Sequence, residues 1–450
     1  MRPSINRKIV GPGESKVAGK PGSGLPSVPP EVDTAAVGRW RDSGGDLIDL
    51  LTRAHLLGGV SSFRIGPKPT VLVTDPQAVQ HVLVRHTDRY VKHPHRARVL
   101  LGDGVVAIAP DDKWKRQRRL LHSQFTGEGI LRYEQRIEDA VQRVADKWAY
   151  SARSGRPRDL AEDMEFFAMD TIWRTLTGHL LDTETHRELR ALETVVTAIA
   201  SVSAPQVELA PHVAAELARV DAVAERAIEA AHSEPMGPAG PGVLHVLLDA
   251  VAEYPQYTRK LVRDELVTLL LAGQETTATT LTWVFVLLAG HPELREWVLD
   301  TEQTGCPART SVIQALINET LRLYPAAWIV PRTAAEDDVL CGFRIEAGSK
   351  VVACPYLTHR DPAIWPDSDR FIPRRFLAAE RPRRTGAYYP FGIGPRTCIG
   401  MQFTMREMTM LLEHLLPAFL PTLHVAPQAV FGSITVKPEG PVVATVEACP

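Results

Sequence analysis

Cysteine is scarce in this chain. Cys306, Cys341, Cys354, Cys398 and Cys449 are the five in 450 residues, widely scattered and without C-x-x-C spacing. An odd count in that pattern argues against a disulfide framework or a zinc site, and a reducing cytoplasm is the expected compartment. Net charge is also small, at −2. Without a basic excess, nucleic acid is not an expected partner. Long apolar runs are missing too: the longest, from Leu281 to Ala289, falls far short of the ~20 residues of a membrane helix, so no membrane span is expected. Residues 1–30 mix Gly, Pro, Ser and Lys, lack the apolar region of a signal peptide, and are expected to form a disordered tail.

What is present is a hydrophobic share of 44%, enough for a globular core, and a strongly helical middle. Strand patterns run over Ser62 to Gly66 and Thr70 to Thr74, around the turn Pro67-Lys68-Pro69, and a helix starts after Asp75-Pro76. From about Asp112 to Ala289, apolar residues recur three and four apart, in Tyr133 to Ala149, Leu160 to Leu176, Glu188 to Ala200 and Pro211 to Ala231. A long helix is expected from about Thr258 to Ala289. After Pro325 come β-rich pieces, Val339 to Ile345 and Lys350 to Ala353, then a coil rich in Pro and Arg. The fold class is therefore mainly α with a smaller β-rich part, in a single domain from residue 31 to 450.

Near the end of the coil stands Phe391-Gly392-Ile393-Gly394-Pro395-Arg396-Thr397-Cys398-Ile399-Gly400. The residues that follow, Met401 to Leu415, are helix formers, so Cys398 lies just ahead of a helix N-terminus, whose dipole favours a negative sulfur. Glycines let backbone take positive φ and approach a flat ligand. A lone loop cysteine is more often an inert thiol. Here, however, Phe391, Gly394, Arg396, Cys398 and Gly400 fall at F-x-x-G-x-R-x-C-x-G, which resembles the haem-binding loop of the cytochrome P450 family. The resemblance implies the P450 fold, haem b as cofactor and Cys398 as the iron ligand, a thiolate that donates electron density to favour O–O cleavage.

Three further groups of residues fit. Glu319 and Arg322, three apart, share a helix face. On an exposed helix such a pair is commonplace. In the family this E-x-x-R pair is joined by an arginine from a later coil, and Pro373-Arg374-Arg375-Phe376 resembles that element, with Arg375 completing a structural triad. Trp114 and Arg118 are four apart on one face, the family's W-x-x-x-R pair for a haem propionate; Arg332 and Arg396 resemble its other propionate arginines. Ala272-Gly273-Gln274-Glu275-Thr276-Thr277 places a glycine and two β-branched residues in mid-helix, where they weaken it. Such broken local rules suggest a site. It resembles the family's A-G-x-(D/E)-T element, where the helix opens beside the iron, Thr276 hydrogen-bonds at the oxygen position and Glu275 relays protons.

The resemblance covers nearly the whole chain after the tail. It implies a soluble haem-thiolate monooxygenase, a cytoplasmic monomer, that inserts one atom of O2 into a lipophilic small molecule by hydroxylation or epoxidation. Terpenoid or polyketide tailoring in secondary metabolism is the expected setting. Pocket residues by correspondence are Val105, Ala272, Ala327, Trp328, Ile329 and Ile434, with Trp328 narrowing the cavity toward compact substrates. Arg396 stands where many soluble bacterial relatives carry histidine, a form closer to fatty-acid hydroxylases, which keeps fatty-acid hydroxylation open as a second reading. A peroxide-driven peroxygenase and a non-catalytic haem-binding protein are also compatible with the cysteine loop. Neither needs the Glu275-Thr276 pair. No flavin or iron–sulfur domain is expected within the chain, so electrons should come from a ferredoxin or flavodoxin with its NAD(P)H-dependent reductase. Lys113, Lys115, Arg116 and Arg119 are candidate docking cations.

Overall fold

The computed structural model describes residues 27–43, 45–92, 97–201, 209–233, 240–300, 308–377, 386–431 and 435–449. Five helices position the residues of interest: α1 (Asp112–His122), α2 (Leu160–Thr177), α3 (Arg259–Ala289), α4 (Arg309–Leu323) and α5 (Met401–Ala418). The largest sheet contains β1 (Val60–Phe63), β2 (Thr70–Val73), β3 (Tyr90–Val91), β4 (Val330–Ala334) and β5 (Lys350–Ala353). Helix dominates, as the sequence pattern requires. The chain forms two compact units. Unit 1 is drawn from Met1–His93, Gln314–Cys398 and Pro427–Glu439, and unit 2 from Pro94–Ile313, Ile399–Ala426 and Gly440–Pro450.

Unit 1 is built on the five-stranded sheet, in the order β1-β2-β5-β4-β3. β1 and β2 form an antiparallel hairpin with Phe63 opposite Thr70, β5 lies parallel to β2 with Thr70 opposite Lys350, and β4 pairs antiparallel with β5. Val71, Val73, Val351 and Ala353 pack with Val79, Val82, Leu83 and Tyr90 into one apolar cluster. Ile393 of the cysteine loop packs on that cluster. The expected strand at Ser62 to Gly66 runs instead over Val60–Phe63, with Phe63 buried and Ile65 exposed beyond its end. The β-rich piece at 339–345 is a hairpin turning through Cys341 and Gly342, both at positive φ. Of the expected N-terminal tail, residues 1–26 lie outside the described residues. Residues 27–30 are held at both ends: Ser62 N of β1 donates to Pro30 O at 2.8 Å, and Ser27 bridges to Phe343 of the 339–345 hairpin.

Unit 2 is mainly helical. α3 is one continuous 31-residue helix, capped at its start by Thr258, whose hydroxyl accepts from Leu261 N at 3.2 Å. At ~1.5 Å per residue it is long enough to serve as the axis of the unit. It packs along α2, which is buried on nearly every side. Gly273 is where the two approach: a Cβ there would lie 3.0 Å from Ile172 Cγ1. The glycine that weakens α3 is thus explained by helix–helix packing. A helix-opening role is not visible, since the backbone is helical throughout Ala272–Thr277. The expected helix at 188–200 is divided into Thr183–Leu189 and Ala191–Ser201.

Candidate active site

In unit 1 the chain arrives at Cys398 through tight turns. Gly392 N donates to Tyr389 O at 2.9 Å, Thr397 N to Gly394 O at 3.0 Å, and Cys398 N to Phe391 O at 2.9 Å. Gly392 and Gly394 have φ of 69° and 78°, which L side chains rarely adopt, and a Cβ on Gly394 would collide with Leu83 O. Gly400, the third glycine, has an ordinary φ and serves as the N-cap of α5. The Cys398 thiol is exposed.

Behind the loop stands the acid–arginine clamp. Arg322, at 0% exposure, donates to Glu319 from Nε at 2.7 Å and Nη2 at 2.8 Å. Arg375 Nε and the Ile372 amide also donate to Glu319, at 3.1 and 2.8 Å. The remaining Arg322 donors reach the carbonyls of His359, Ser368 and Arg370 at 2.6–2.9 Å. Burial lowers the Arg322 pKa, and Glu319 opposes that shift through its hydrogen bonds and charge. A charge this buried holds because its donors are used. The sequence pattern missed the link from clamp to loop: Tyr389 N donates to His359 Nε2 at 3.0 Å, and Tyr389 O in turn accepts Gly392 N. Burial, with Arg322 nearby, pushes His359 down to about 3, so its ring is neutral and Nε2 can accept. Tyr388 ties the same strap to α4 through Asn318 O at 2.9 Å.

Also in unit 1, Arg332 and Arg396 lie within electrostatic reach of each other and of Lys92, which sequence reasoning did not single out. Burial and the two guanidiniums push the Lys92 pKa down to about 8, while burial and Arg396 push Arg332 down to about 10. Three cations gathered this way suit a group bearing more than one carboxylate. The donor set fits haem: an exposed thiol, a loop whose glycines bring backbone close, and a cluster of cations for the propionates.

Unit 2 carries the remaining residues of interest. Asp111 caps α1 by accepting from Trp114 N at 2.8 Å, and the Arg118 guanidinium lies 5.5 Å from the buried Trp114 ring, so the pair does share a face. On α3, the Thr276 hydroxyl donates to Ala272 O at 2.8 Å, and Glu275 is half-buried. Beside them, Thr277 Oγ1 donates to Glu407 Oε1 of α5 at 2.9 Å. Burial pushes Glu407 up to about 8. Its other oxygen is buried without a hydrogen bond among the described residues. No motif pointed to Glu407; an acid on the apolar face of α5, among Phe403, Met408, Leu411 and Leu412, was the available signal.

Of the pocket residues expected from the family, five lie among the described residues. Trp328 is 2% exposed and packs edge-on against Phe431, and Val105 is 4% exposed. Both side chains are thus largely covered by protein. Ala272 is exposed, Ala327 and Ile329 are half-buried, and Ile434 lies outside the described residues.

The family model for cytochrome P450 matches residues 49–442. The chain belongs to the cytochrome P450 family. As a P450 it is a haem enzyme of the monooxygenase class, with iron protoporphyrin IX bound through a cysteine thiolate. Among curated relatives it is similar to cyclooctatin synthase of Streptomyces melanosporofaciens, 32% identical over 79% of this chain and 81% of that one. It is 28% identical to putative cytochrome P450 132 of Mycobacterium bovis, over 84% and 88% of the two chains. Among solved structures, CYP175A1 from Thermus thermophillus matches with a TM-score of 0.74 at 26% identity, covering 93% of this P450 and all of that chain. The cytochrome P450DA haem domain matches in fold with a TM-score of 0.82 at 23% identity. Among the described residues, no helix of this P450 is long and apolar enough to cross a membrane.

Proposed function

We propose that Cys398 is the haem ligand of a monooxygenase that tailors a lipophilic small molecule of the terpenoid or polyketide kind. The carrying observation is the exposed thiol at the end of a strap that the buried Glu319–Arg322–Arg375 clamp holds through His359 and Tyr389. When bound, haem supplies dioxygen activation: one oxygen atom enters a C–H or C=C bond, and the other leaves as water after two electrons and two protons. Phe391, Gly394 and Gly400 shape the backbone around the thiol. Lys92, Arg332 and Arg396 would hold the propionates; for Trp114 and Arg118 that role is what the family resemblance implies. Thr276 and Glu275 handle protons. To donate elsewhere, the Thr276 hydroxyl must leave Ala272 O, a weak local bond that α3 can spare. The exposed Ala272, the half-buried Ala327 and Ile329, and the loop that carries Val105 and exposed Val106 support an apolar substrate. Likeness to a chain named for the synthesis of cyclooctatin supports tailoring chemistry over fatty-acid hydroxylation. The direct test is optical. Reduced, CO-treated protein should show the red-shifted Soret band of thiolate ligation and lose it in Cys398→Ser; a wild-type spectrum without the band rejects the assignment.

Electrons are proposed to come from a separate ferredoxin or flavodoxin. Lys113 and Lys115 are engaged by Asp103 and Asp112 at 2.8 and 3.0 Å, which leaves exposed Arg116 and Arg119 as the better docking cations. Reversing both should slow reduction at low salt and not at high salt.

A further inference from the structure

Loop 102–106 in unit 2 is fastened to α3 more tightly than its sequence suggests. Val105 N donates to Glu265 Oε2 at 3.0 Å, and Asp103 N donates to Asp264 Oδ2 at 2.9 Å. Gln117 of α1 holds the loop from another side, its Nε2 donating to Asp103 O at 3.0 Å. Gly102, at φ 49°, and Gly104 sit so close to α3 that a Cβ on either would collide, with the Asp264 carboxylate and the Thr268 hydroxyl respectively. Val105 and Ala107 are buried by this docking, while Val106 between them is 38% exposed. Three successive residues thus form two anchors and one displayed apolar side chain.

The two acids differ. Asp264 is neutralised by Lys260 at 2.7 Å and Arg263 at 3.1 Å. Glu265 is buried beside the like charge of Asp264, with Lys113 as the cation that acts on it and Tyr257 also facing it. Glu265 Oε1, Thr268 Oγ1 and Gln117 Oε1 are buried without a hydrogen bond among the described residues, and all three residues touch the same loop. A buried carboxyl aimed at a loop amide, ringed by unspent acceptors, suits a neutral acid. Burial pushes Glu265 up to about 8 accordingly, so glutamine is its close mimic near neutral pH.

We propose that Glu265 is a positioning residue that latches loop 102–106 onto α3 and so sets how Val106 is presented to substrate. The presentation to substrate rests on the proposed function, in which this loop borders the substrate; the latch itself does not.

The experiment compares Glu265→Ala and Glu265→Gln in the full haem-loaded chain. It reads amide hydrogen exchange over 102–106 and spectral titration with 4-phenylimidazole, an apolar azole. Glu265→Ala should speed exchange at Val105 about tenfold and weaken the azole about tenfold, the loss expected for one buried hydrogen bond. Glu265→Gln, which keeps the acceptor, should restore both to within about twofold of wild type. Should Glu265→Ala fail to fold, Gly104→Ala displaces the same loop with the carboxyl intact and should give the same faster exchange. Unchanged exchange in the variant that folds overturns the latch, as does Glu265→Gln behaving like Glu265→Ala. Faster exchange with unchanged azole affinity overturns the positioning role. A wild-type protein without the thiolate CO band would instead sink the proposed function, and the exchange comparison would still decide the latch.

Discussion

Two buried glutamates show how differently the two units treat a carboxyl group. Glu319 in unit 1 is fully paired, accepting from Arg322, Arg375 and the Ile372 amide. Glu407 in unit 2 accepts from Thr277 on one oxygen and is also reached by the Thr404 side chain, while its Oε2 is buried without a hydrogen bond among the described residues. A saturated carboxylate fixes geometry, because every rearrangement strands a charge. One that is half-satisfied and held near neutrality can take or give a proton at smaller cost. The first lies behind the cysteine loop proposed to hold the haem, where rigidity serves. The second meets α3 one residue along from Thr276, on the segment proposed to handle protons.

The strongest way to break this contrast is Glu319→Ala. Leaving Arg322 buried and unpaired should cost about 3–5 kcal/mol, measured by urea unfolding, with haem incorporation falling in parallel. A loss below about 1 kcal/mol would mean that the clamp is a surface-type pair after all.

Next in size is the pH dependence contributed by Glu407. Its pKa rises from 4.5 in the unfolded chain to about 8 in the fold. Below 4.5 both states hold the proton, and the group contributes no slope. Between 4.5 and about 8 the fold keeps the proton that the unfolded chain loses, so stability falls as pH rises, and above 8 the dependence levels off. Glu407→Gln should remove that decline, on the order of 1 kcal/mol per pH unit, in unfolding measured from pH 5 to 8. An unchanged slope would place Glu407 in a wetter site than its burial implies.

The smallest effect on stability is expected from Thr276→Ala. It deletes one bond to the helix's own carbonyl, worth a few tenths of a kcal/mol. Its effect on chemistry should be large: reductant is consumed and hydrogen peroxide accumulates in place of product. Product and reductant remaining in wild-type ratio would remove Thr276 from its proposed role.

Much of the framework was legible from short-range patterns. The turn glycines 392 and 394, the Glu319–Arg322 pair and the Trp114–Arg118 pair each depend on a spacing of a few residues, and helical or turn geometry then places the side chains. The same local logic found α3 to within a residue at each end. It did not show that Gly273 packs against Ile172 of another helix, or that the Trp328 ring meets Phe431.

The sequence by itself determined the family, the turns of the cysteine loop and the clamp's helix, because these are written in spacings that a single turn or helix face reads out. Tertiary structure alone decided that His359 and Tyr389 carry the clamp to the loop, that Lys92 joins Arg332 and Arg396, and that Glu407 meets Thr277 across 130 positions. The physical reason is desolvation: whether a carboxyl is an ion, an acid or a latch depends on what other segments remove from water around it, and no local spacing encodes that.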